Sequence, residues 1–331
     1  MKKRSKILLS LVTVLCLVGV IAVSSFYRDS TKRFSSSEKM TVAMGTIVTQ
    51  KVYSDYAGKD IEKITAIINA LDDKISWRNE NSDIAKLNGE GALSDAGIAS
   101  VLLTCKEVSE NCDGVFDVTV GEVSKLWSIG EDNQRVPEKS EIENALKAVG
   151  YENIAVEGND ITLNSDCSID LGAVGKGMAC DMAKNYLEAS DVKGAVISVG
   201  GSILAWGDYN KAGEPWRVAV KHPRNENEYI GVIVLDEGFV STSGDYERYF
   251  ESDGKRYHHI LDAKTGYPAD SGLISVSVVC DSGILSDALS TACFILGEEK
   301  SISLLEKYGA SAVFVYDNLE ISTVGEIDFE S

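Results

Sequence analysis

The sequence has little positive charge for its length. Its 331 residues include 32 lysines and arginines against 51 aspartates and glutamates, which gives a net charge of −19. Such an acidic chain repels phosphate backbones, so the composition argues against nucleic-acid binding. An anionic nucleotide can still bind where backbone N–H groups, a lysine or a metal ion reverse the local sign of the charge.

Closely paired cysteines are also absent. No C-x-x-C pair occurs among the seven cysteines, so the sequence does not support a zinc site or a dithiol redox motif. Cys105 and Cys112 are spaced to lie on one helix face, and Cys180 and Cys293 fall in apolar helical patterns. Most cysteines are therefore predicted to be small buried side chains. The chain also has no internal repeat and no low-complexity tract, which excludes a repeat architecture.

The N-terminus carries an export pattern. Four basic residues precede an apolar run over residues 7–23, namely Lys2, Lys3, Arg4 and Lys6. The run is long for a cleaved signal peptide and barely long enough to span a bilayer. Residues 1–27 are predicted to be a membrane anchor, with a signal peptide cleaved after Ala22-Val23-Ser24 as the alternative. A polar linker over 28–39 and one domain over 40–331 follow, with the domain on the extracytoplasmic side of the cell membrane.

Hydrophobic periodicity predicts the elements of this domain. Helices are predicted at 60–75, 95–111, 140–150, 177–189, 284–296 and 299–308. Strands are predicted at 41–53, 153–163 (a hairpin), 196–199, 216–221, 230–235, 239–242, 256–262, 274–280, 311–316 and 319–323. Because helices and strands are mixed without regular β-α-β alternation, the predicted fold class is α+β, with mixed, largely antiparallel sheets and flanking helices.

A glycine-rich segment, residues 170–177, immediately precedes a predicted helix. Its three glycines let the backbone approach a ligand closely, the helix N-terminus offers unpaired N–H groups, and Lys176 adds a positive charge. The segment differs from the phosphate-binding loop because Gly177 stands where that loop has a hydroxyl residue. It is a candidate anion-binding loop, and a turn that only packs a helix on a sheet is the alternative.

Two oxygen-bearing residues lie one helical turn apart in the predicted helix 284–296. Asp287 and Thr291 are four residues apart and therefore share a helix face. A carboxylate and a hydroxyl suit Mg²⁺, which prefers hard oxygen ligands and completes its shell with carbonyls and ligand phosphates. The alternative is a capping aspartate and a threonine bonded to its own helix backbone.

Three further segments carry candidate functional groups. Hydroxyl residues 241–243 lead into Gly244-Asp245, and His259 is followed three residues later by Asp262. A histidine and a carboxylate at this spacing are compatible with acid–base chemistry. Residues 114–119 place Phe116 where it can cover a planar ring, beside Asp117. Ordinary strands and loops are the alternative for all three segments.

Taken together, these segments resemble the ApbE-type FAD:protein FMN transferases over residues 41–325. Eight stretches match in the order that the family has them. They are residues 44–46, 75–77 with 81–83, 114–119 with 126–127, 170–177, 198–201, 242–246, 259–268 and 287–291. The sequence departs from the family's usual pattern at Ala263, where a proline is common, and at Trp77, where a tyrosine is common. Neither change removes a proposed ligand.

The resemblance implies both a reaction and a set of residues. FMN would pass from FAD to a Thr or Ser hydroxyl of an exported redox protein, with release of AMP and with Mg²⁺ as cofactor. The implied FAD site consists of Met44, Trp77, Val115, Phe116, Asp117, Asp170, Lys176 and His259. The implied Mg²⁺ ligands are the Ala173 carbonyl, the Asp287 carboxylate and the Thr291 hydroxyl. His259 is the candidate base, with Asp245 or Asp262 as orienting carboxylates.

Three alternative functions remain open at the level of the sequence. The same site with water as the nucleophile would make an FAD pyrophosphatase that yields free FMN and AMP. An extracellular flavin store or sensor would bind FAD without turnover. A cell-surface structural protein would not bind FAD at all.

Overall fold

A computed structural model describes residues 34–164, 166–210 and 212–331 of the chain. The predicted anchor and the first part of the predicted linker lie outside the described residues. The first strand begins at Ser36, inside the segment that the sequence analysis assigned to the linker. Among the described helices, none combines the length and the apolar character needed to cross a membrane.

Eight α-helices occur within the described ranges. They are α1 Ala57–Ile75, α2 Asp83–Glu90, α3 Ala96–Asn111, α4 Gly121–Trp127, α5 Lys139–Ala145, α6 Gly175–Glu188, α7 Gly283–Leu296 and α8 Glu298–Tyr308. Side-chain caps begin α2, α3 and α7, since Ser82 accepts the amide hydrogen of Ala85, Asp95 that of Ile98 and Ser282 that of Leu285. Isoleucines and a leucine at helical spacing give α1 one buried face, formed by Ile61, Ile64, Ile68, Leu71 and Ile75.

The same ranges contain sixteen strands. They are β1 Ser36–Ala43, β2 Thr46–Tyr53, β3 Ala92–Ser94, β4 Ile154–Glu157, β5 Asp160–Leu163, β6 Gly194–Val199, β7 Ser202–Gly207, β8 Trp216–Lys221, β9 Tyr229–Leu235, β10 Gly238–Gly244, β11 Tyr249–Ser252, β12 Lys255–His258, β13 Leu273–Cys280, β14 Ser311–Tyr316, β15 Ile321–Val324 and β16 Asp328–Glu330.

An eight-stranded sheet organises the molecule, in the order β1-β2-β6-β7-β10-β13-β14-β15. Each neighbouring pair of these strands is antiparallel. The helices α1, α6 and α7 pack against one face and enclose the largest apolar core with it. The predicted α+β class with largely antiparallel sheets is therefore confirmed.

A small sheet covers part of the opposite face of the large one. It has the order β16-β9-β8, and Val218, Val220 and Ile233 from this sheet pack against Val240 and Val313 of the large sheet. Alternation of buried and exposed residues along β8 is what such a one-sided packing requires. The helices and the site described below lie on the other face.

Several predicted elements differ from the structure. Residues 41–53 form the second half of β1, a turn and β2, because the chain reverses at Met44-Gly45. The helix predicted over 140–150 ends as α5 at Ala145 and continues as a 3₁₀ turn. The strand predicted over 256–262 stops at His258. Short elements that the sequence pattern did not predict include α2, α4, β3, β7, β11 and β16.

Candidate active site

A cavity of about 590 Å³ lies where α1, α6 and α7 meet the large sheet. Its volume is in the range of small-molecule and cofactor sites. Ten of the thirteen residues predicted for the site line it, so the fold brings together groups from distant parts of the chain. These ten are Met44, Trp77, Phe116, Asp117, Asp170, Ala173, Lys176, His259, Asp287 and Thr291.

Three predicted site residues lie elsewhere among the described residues, namely Asp245, Asp262 and Val115. The Asp262 carboxylate accepts the amide hydrogen of Lys264 at 2.8 Å. The carboxylate of Asp245 forms a two-pronged ion pair with Arg224, at 2.6 and 2.8 Å, and Arg256 lies 3.7 Å away. This arrangement commits Asp245 to a structural ion-pair network rather than to His259. Val115 packs against the core, and its carbonyl accepts the amide hydrogen of Ala263 at 3.0 Å.

The glycine-rich loop lines the cavity. The Asp170 side chain accepts the amide hydrogen of Gly172 at 2.8 Å, which fixes a tight turn before α6 begins at Gly175. Lys176 is half-buried in the first turn of α6 and forms no ion pair with a described residue. The helix N-terminus and this ammonium group therefore present positive charge to the cavity.

Two glycines allow α6 and α7 to cross at their N-terminal ends. A Cβ added to Gly177 would lie 1.9 Å from the Gly283 carbonyl oxygen, and one added to Gly283 would lie 2.2 Å from the Gly177 carbonyl oxygen. Asp181 of α6 also accepts the amide hydrogens of Gly283 and Ile284, at 2.8 and 2.9 Å, and so fixes the start of α7. This crossing brings the loop over 170–177 and the residues of α7 to one place.

Asp287 is the buried carboxylate at this crossing. It is 4% exposed, and its two oxygens accept hydrogen bonds from the Gly177 amide (2.6 Å) and the Ser202 hydroxyl. No described lysine, arginine or histidine forms an ion pair with it. A buried carboxylate without a cationic partner is costly, and a bound cation would reduce that cost.

Neutral oxygens surround this carboxylate. The Thr291 hydroxyl lies 3.3 Å from that of Ser243, which also contacts the Ser290 hydroxyl at 2.8 Å. The hydroxyl run that the sequence analysis singled out in β10 is therefore partly a contact with α7. No described group of three histidine, cysteine, aspartate or glutamate side chains could hold a metal ion. A cation here would have one carboxylate ligand, completed by hydroxyl and carbonyl oxygens.

His259 is an exposed residue that lines the cavity. Its Nδ1 lies 3.2 Å from the Arg248 carbonyl oxygen, which also accepts its backbone amide hydrogen at 3.1 Å. A carbonyl can only accept, so Nδ1 carries the proton and Nε2 is the basic nitrogen of the neutral ring. Partial desolvation, together with the charges of Lys176 and Arg248, lowers the pKa of His259 and keeps the ring neutral at pH 7.

The aromatic wall of the cavity contains an unsatisfied donor. The Trp77 indole N–H is buried and has no hydrogen-bond acceptor among the described residues. The Arg78 guanidinium lies 4.3 Å from the centre of the Trp77 ring and bonds Glu131 at 2.6 Å. On the same wall, Phe116 and Asp117 are buried, and burial raises the pKa of Asp117, partly offset by two hydrogen bonds from Thr119.

Sequence reasoning missed five charged residues that line the cavity, namely Asp72, Arg78, Glu131, Glu247 and Arg248. None lies in a segment with a recognisable motif of its own. One signal was present for Asp72, because a carboxylate in the last turn of a helix opposes the helix dipole. Arg78 directly follows the predicted site residue Trp77, so its position near the cavity could have been inferred.

Comparison with known proteins agrees with this geometry. The model of the ApbE family matches residues 44–314. The FAD:protein FMN transferase of Treponema pallidum is 30% identical over 96% of this chain and 93% of its own, and that of Haemophilus influenzae is 31% identical over 87% and 89%. The crystal structure of the ApbE protein from Thermotoga maritima shares 34% identity and a TM-score of 0.82, covering 88% of this chain and 97% of that one. The predicted resemblance is confirmed: this chain belongs to the ApbE family.

Proposed function

We propose that this ApbE-family enzyme transfers FMN from FAD to a Thr or Ser hydroxyl of an exported protein, with Mg²⁺ as cofactor and AMP as the second product. The observation that carries the proposal is the meeting of an anion-binding helix end, a buried carboxylate and a neutral histidine in one cavity. The names of its curated relatives, FAD:protein FMN transferase, support the same reaction class.

The donor site has groups suited to FAD. The ring of Trp77 and the buried Phe116 offer apolar surfaces to a planar ring system. Lys176 and the N-terminus of α6 offer positive charge to the phosphates. In a chain with a net charge of −19, this local reversal of sign allows an anionic substrate to bind.

The residues present also fit Mg²⁺. Asp287 would supply the carboxylate, Thr291 the hydroxyl and Ala173 the backbone carbonyl, and all three line the same cavity. One carboxylate with neutral oxygens and substrate phosphates is a ligand set that Mg²⁺ accepts. When bound, the ion would neutralise charge that develops on the phosphates during transfer.

The reaction balances as one phosphoryl substitution. The acceptor oxygen forms a bond to the phosphorus of the FMN half, the bond from that phosphorus to the bridging oxygen breaks, and AMP leaves with the bridging oxygen. The proton of the acceptor hydroxyl passes to Nε2 of His259, which the Nδ1–H bond to Arg248 orients. Lys176 faces the phosphates and stabilises the charge on them.

An extracytoplasmic location belongs to this proposal. It is supported by the basic flank and apolar run of residues 1–27, which favour an anchor with the catalytic domain outside the cytoplasm. Membrane fractionation, followed by protease treatment of intact cells, tests it. Degradation of the domain by external protease is expected, whereas full protection would contradict the location.

A mass measurement distinguishes this function from its alternatives. The full chain is incubated with FAD, MgCl₂ and an exported flavin-accepting redox protein purified without flavin. Transfer adds the mass of one FMN minus water to the acceptor and releases an equal amount of AMP. Free FMN with an unmodified acceptor would indicate a pyrophosphatase, and FAD binding without AMP would indicate a flavin-binding protein.

A further inference from the structure

The turn between β1 and β2 has an unusual residue at its first central position. Ala43 pairs with Thr46, so Met44 and Gly45 form a two-residue hairpin loop. Their φ angles are +54° and +66°. Positive φ at both central positions is typical of a type I′ turn, in which asparagine, aspartate or glycine is favoured at the first position. Methionine rarely adopts this left-handed backbone conformation, so the surrounding structure must hold it there.

Contacts from three sides hold the turn. The Asp72 carboxylate accepts the Met44 amide hydrogen at 2.6 Å, and the Arg248 guanidinium approaches the Gly45 carbonyl oxygen at 3.4 Å. The Met44 side chain lies over Gly175, where an added Cβ would be 3.2 Å from the methionine Cε. Of these contacts, the charge-assisted hydrogen bond that the Met44 amide donates to Asp72 is the shortest, and it acts directly on the backbone of the left-handed residue.

The position of Asp72 has no other explanation in the structure. It lies in the last turn of α1, where the helix dipole disfavours a negative charge. It forms no ion pair with a described residue. It also lines a cavity whose proposed ligand carries phosphates, so its charge opposes binding. The hydrogen bond to Met44 is the interaction that accounts for a carboxylate at this place.

We propose that Asp72 is a positioning residue that holds Met44 in the left-handed conformation, so that residues 44–46 form a wall of the cavity before FAD binds. The part of this inference that concerns FAD rests on the proposed function. Asp72 acts through Met44 and is not assigned a contact with the substrate. Pre-organising this wall lowers the ordering cost of binding and therefore strengthens FAD affinity.

The first test measures the turn itself, without FAD. Hydrogen exchange of the full chain in detergent is compared for the wild type, Asp72→Ala and Asp73→Ala, and the segment that contains Met44 is followed. Asp73 is the matched control, since it neighbours Asp72 on α1, is exposed and does not line the cavity. Faster exchange in the Asp72→Ala segment alone supports the proposal. Unchanged exchange in that variant would overturn it.

The second test is a double-mutant cycle on the dissociation constant for FAD. Asp72→Ala is expected to raise it about ten-fold when residue 44 is methionine, the size expected for one charge-assisted hydrogen bond. Asparagine tolerates the left-handed conformation. In the Met44→Asn background, the same change is therefore expected to have an effect of less than about two-fold. An equal loss in both backgrounds would mean that Asp72 acts on the ligand directly, and the proposal would fail.

A conservative variant separates the hydrogen bond from the charge. Asp72→Asn retains a side-chain oxygen that can accept the Met44 amide hydrogen, so exchange and FAD affinity are expected to stay closer to the wild type than those of Asp72→Ala. This variant also serves if Asp72→Ala does not fold. If Asp72→Asn showed the same faster exchange and weaker FAD binding as Asp72→Ala, the proposal would be overturned. If FAD fails to bind even the wild type, the proposed function fails, while hydrogen exchange still tests the turn.

Discussion

The adjacent residues His258 and His259 differ in what their ring nitrogens face. His259 directs Nδ1 to the Arg248 carbonyl and is open to the cavity. His258 is buried, with Nε2 at 3.0 Å from the Ala269 carbonyl oxygen and Nδ1 accepting the Ile260 amide hydrogen at 3.3 Å. Each ring is therefore held in one neutral tautomer, but only His259 can exchange a proton with a ligand.

Replacement of His259 tests its role as the base. In His259→Ala, we expect FMN transfer to fall by about 10²–10⁴-fold, the usual contribution of a positioned general base. FAD affinity should change little, because the groups assigned to the phosphates are Lys176 and the N-terminus of α6. Transfer rates and FAD binding are measured separately. Parallel losses of both would reject the assignment as base.

His258 should make stability depend on pH. Burial lowers the pKa of His258 below its usual range, and protonation of Nδ1 would set two N–H groups against each other. As pH falls below about 6.5, the unfolded chain takes up a proton that the folded protein resists, so the unfolding free energy falls with pH in that range. Urea denaturation at several pH values measures this dependence. The unfolding free energy should fall less steeply with decreasing pH in His258→Asn than in the wild type. The same pH dependence of the unfolding free energy in the wild type and in His258→Asn would contradict the role of His258.

Most of the predicted site residues line the cavity, and the exceptions have physical reasons. Asp287 and Thr291 were predictable because helical spacing places them on one face. The assignment of Asp245 to His259 relied on sequence proximity, and Arg224 could not be foreseen as its partner because that ion pair is made by tertiary structure. The contribution of Asp72 was missed because it depends on the backbone of a residue 28 positions away.

At the scale of elements, the crossing of α6 and α7 determines the geometry of the site. Gly177 and Gly283 touch through their backbones, and Asp287 of α7 bonds the Gly177 amide of α6. No side chain fits between them. The two helices therefore set the distance between the anion-binding loop and the candidate metal ligands.

Gly177→Ala should disturb both folding and activity. The added methyl group would overlap the Gly283 backbone, and overpacking of this kind typically costs about 1–3 kcal/mol of unfolding free energy. Because the helices must move apart, we expect weaker Mg²⁺ dependence and transfer reduced by at least about ten-fold, since small misplacements are costly in catalysis. Denaturant titration and a transfer assay measure the two effects.

Gly58→Ala is the matched control for this substitution. Gly58 lies in the first turn of α1, and an added Cβ would meet nothing within 4 Å. Alanine has the higher helix propensity, so the variant should be neutral or more stable by up to about 1 kcal/mol. Equal losses of stability and of transfer in the two variants would show that the contact between Gly177 and Gly283 is not responsible for the effect.

Long amphipathic elements were predictable and local reversals were not. The helices predicted over 60–75, 95–111, 284–296 and 299–308 match α1, α3, α7 and α8 to within a few residues, because each has a continuous apolar face. The hairpin at Met44 was missed because methionine gives no turn signal, and tertiary contacts impose its conformation. Short elements such as α4 carry too few residues for a periodic pattern.

At the scale of the whole molecule, the described cysteines contribute packing rather than cross-links. All six are free and buried, as predicted for most of them. Burial raises the pKa of Cys280 and Cys293 to about 12, so these thiols stay protonated and unreactive. The fold within the described ranges is therefore stabilised by its apolar cores, without disulfides.

Ligands should stabilise the whole domain. Mg²⁺ and FAD bind only the folded state in this proposal, and saturation at 100 times the dissociation constant adds about 2.7 kcal/mol to the unfolding free energy. We expect the melting temperature to rise when FAD and MgCl₂ are added. It should return to the value of the ligand-free protein when FAD is removed and EDTA chelates the Mg²⁺. In Asp287→Ala, added MgCl₂ should no longer raise it. An unchanged response to MgCl₂ in that variant would refute the ligand assignment.

The contact between Gly177 and Gly283 has a thermodynamic consequence. The two helices form one unit that carries both the loop facing the phosphates and the carboxylate offered to the cation. Binding of FAD therefore fixes the position of the groups that bind Mg²⁺, and binding of Mg²⁺ fixes the position of the groups that bind FAD. Their affinities should therefore be linked. If bound Mg²⁺ increases the affinity for FAD by some factor, bound FAD must increase the affinity for Mg²⁺ by the same factor. The enzyme would then hold the cation firmly only while a dinucleotide is present, and would release the cation once the dinucleotide has been cleaved and AMP has departed.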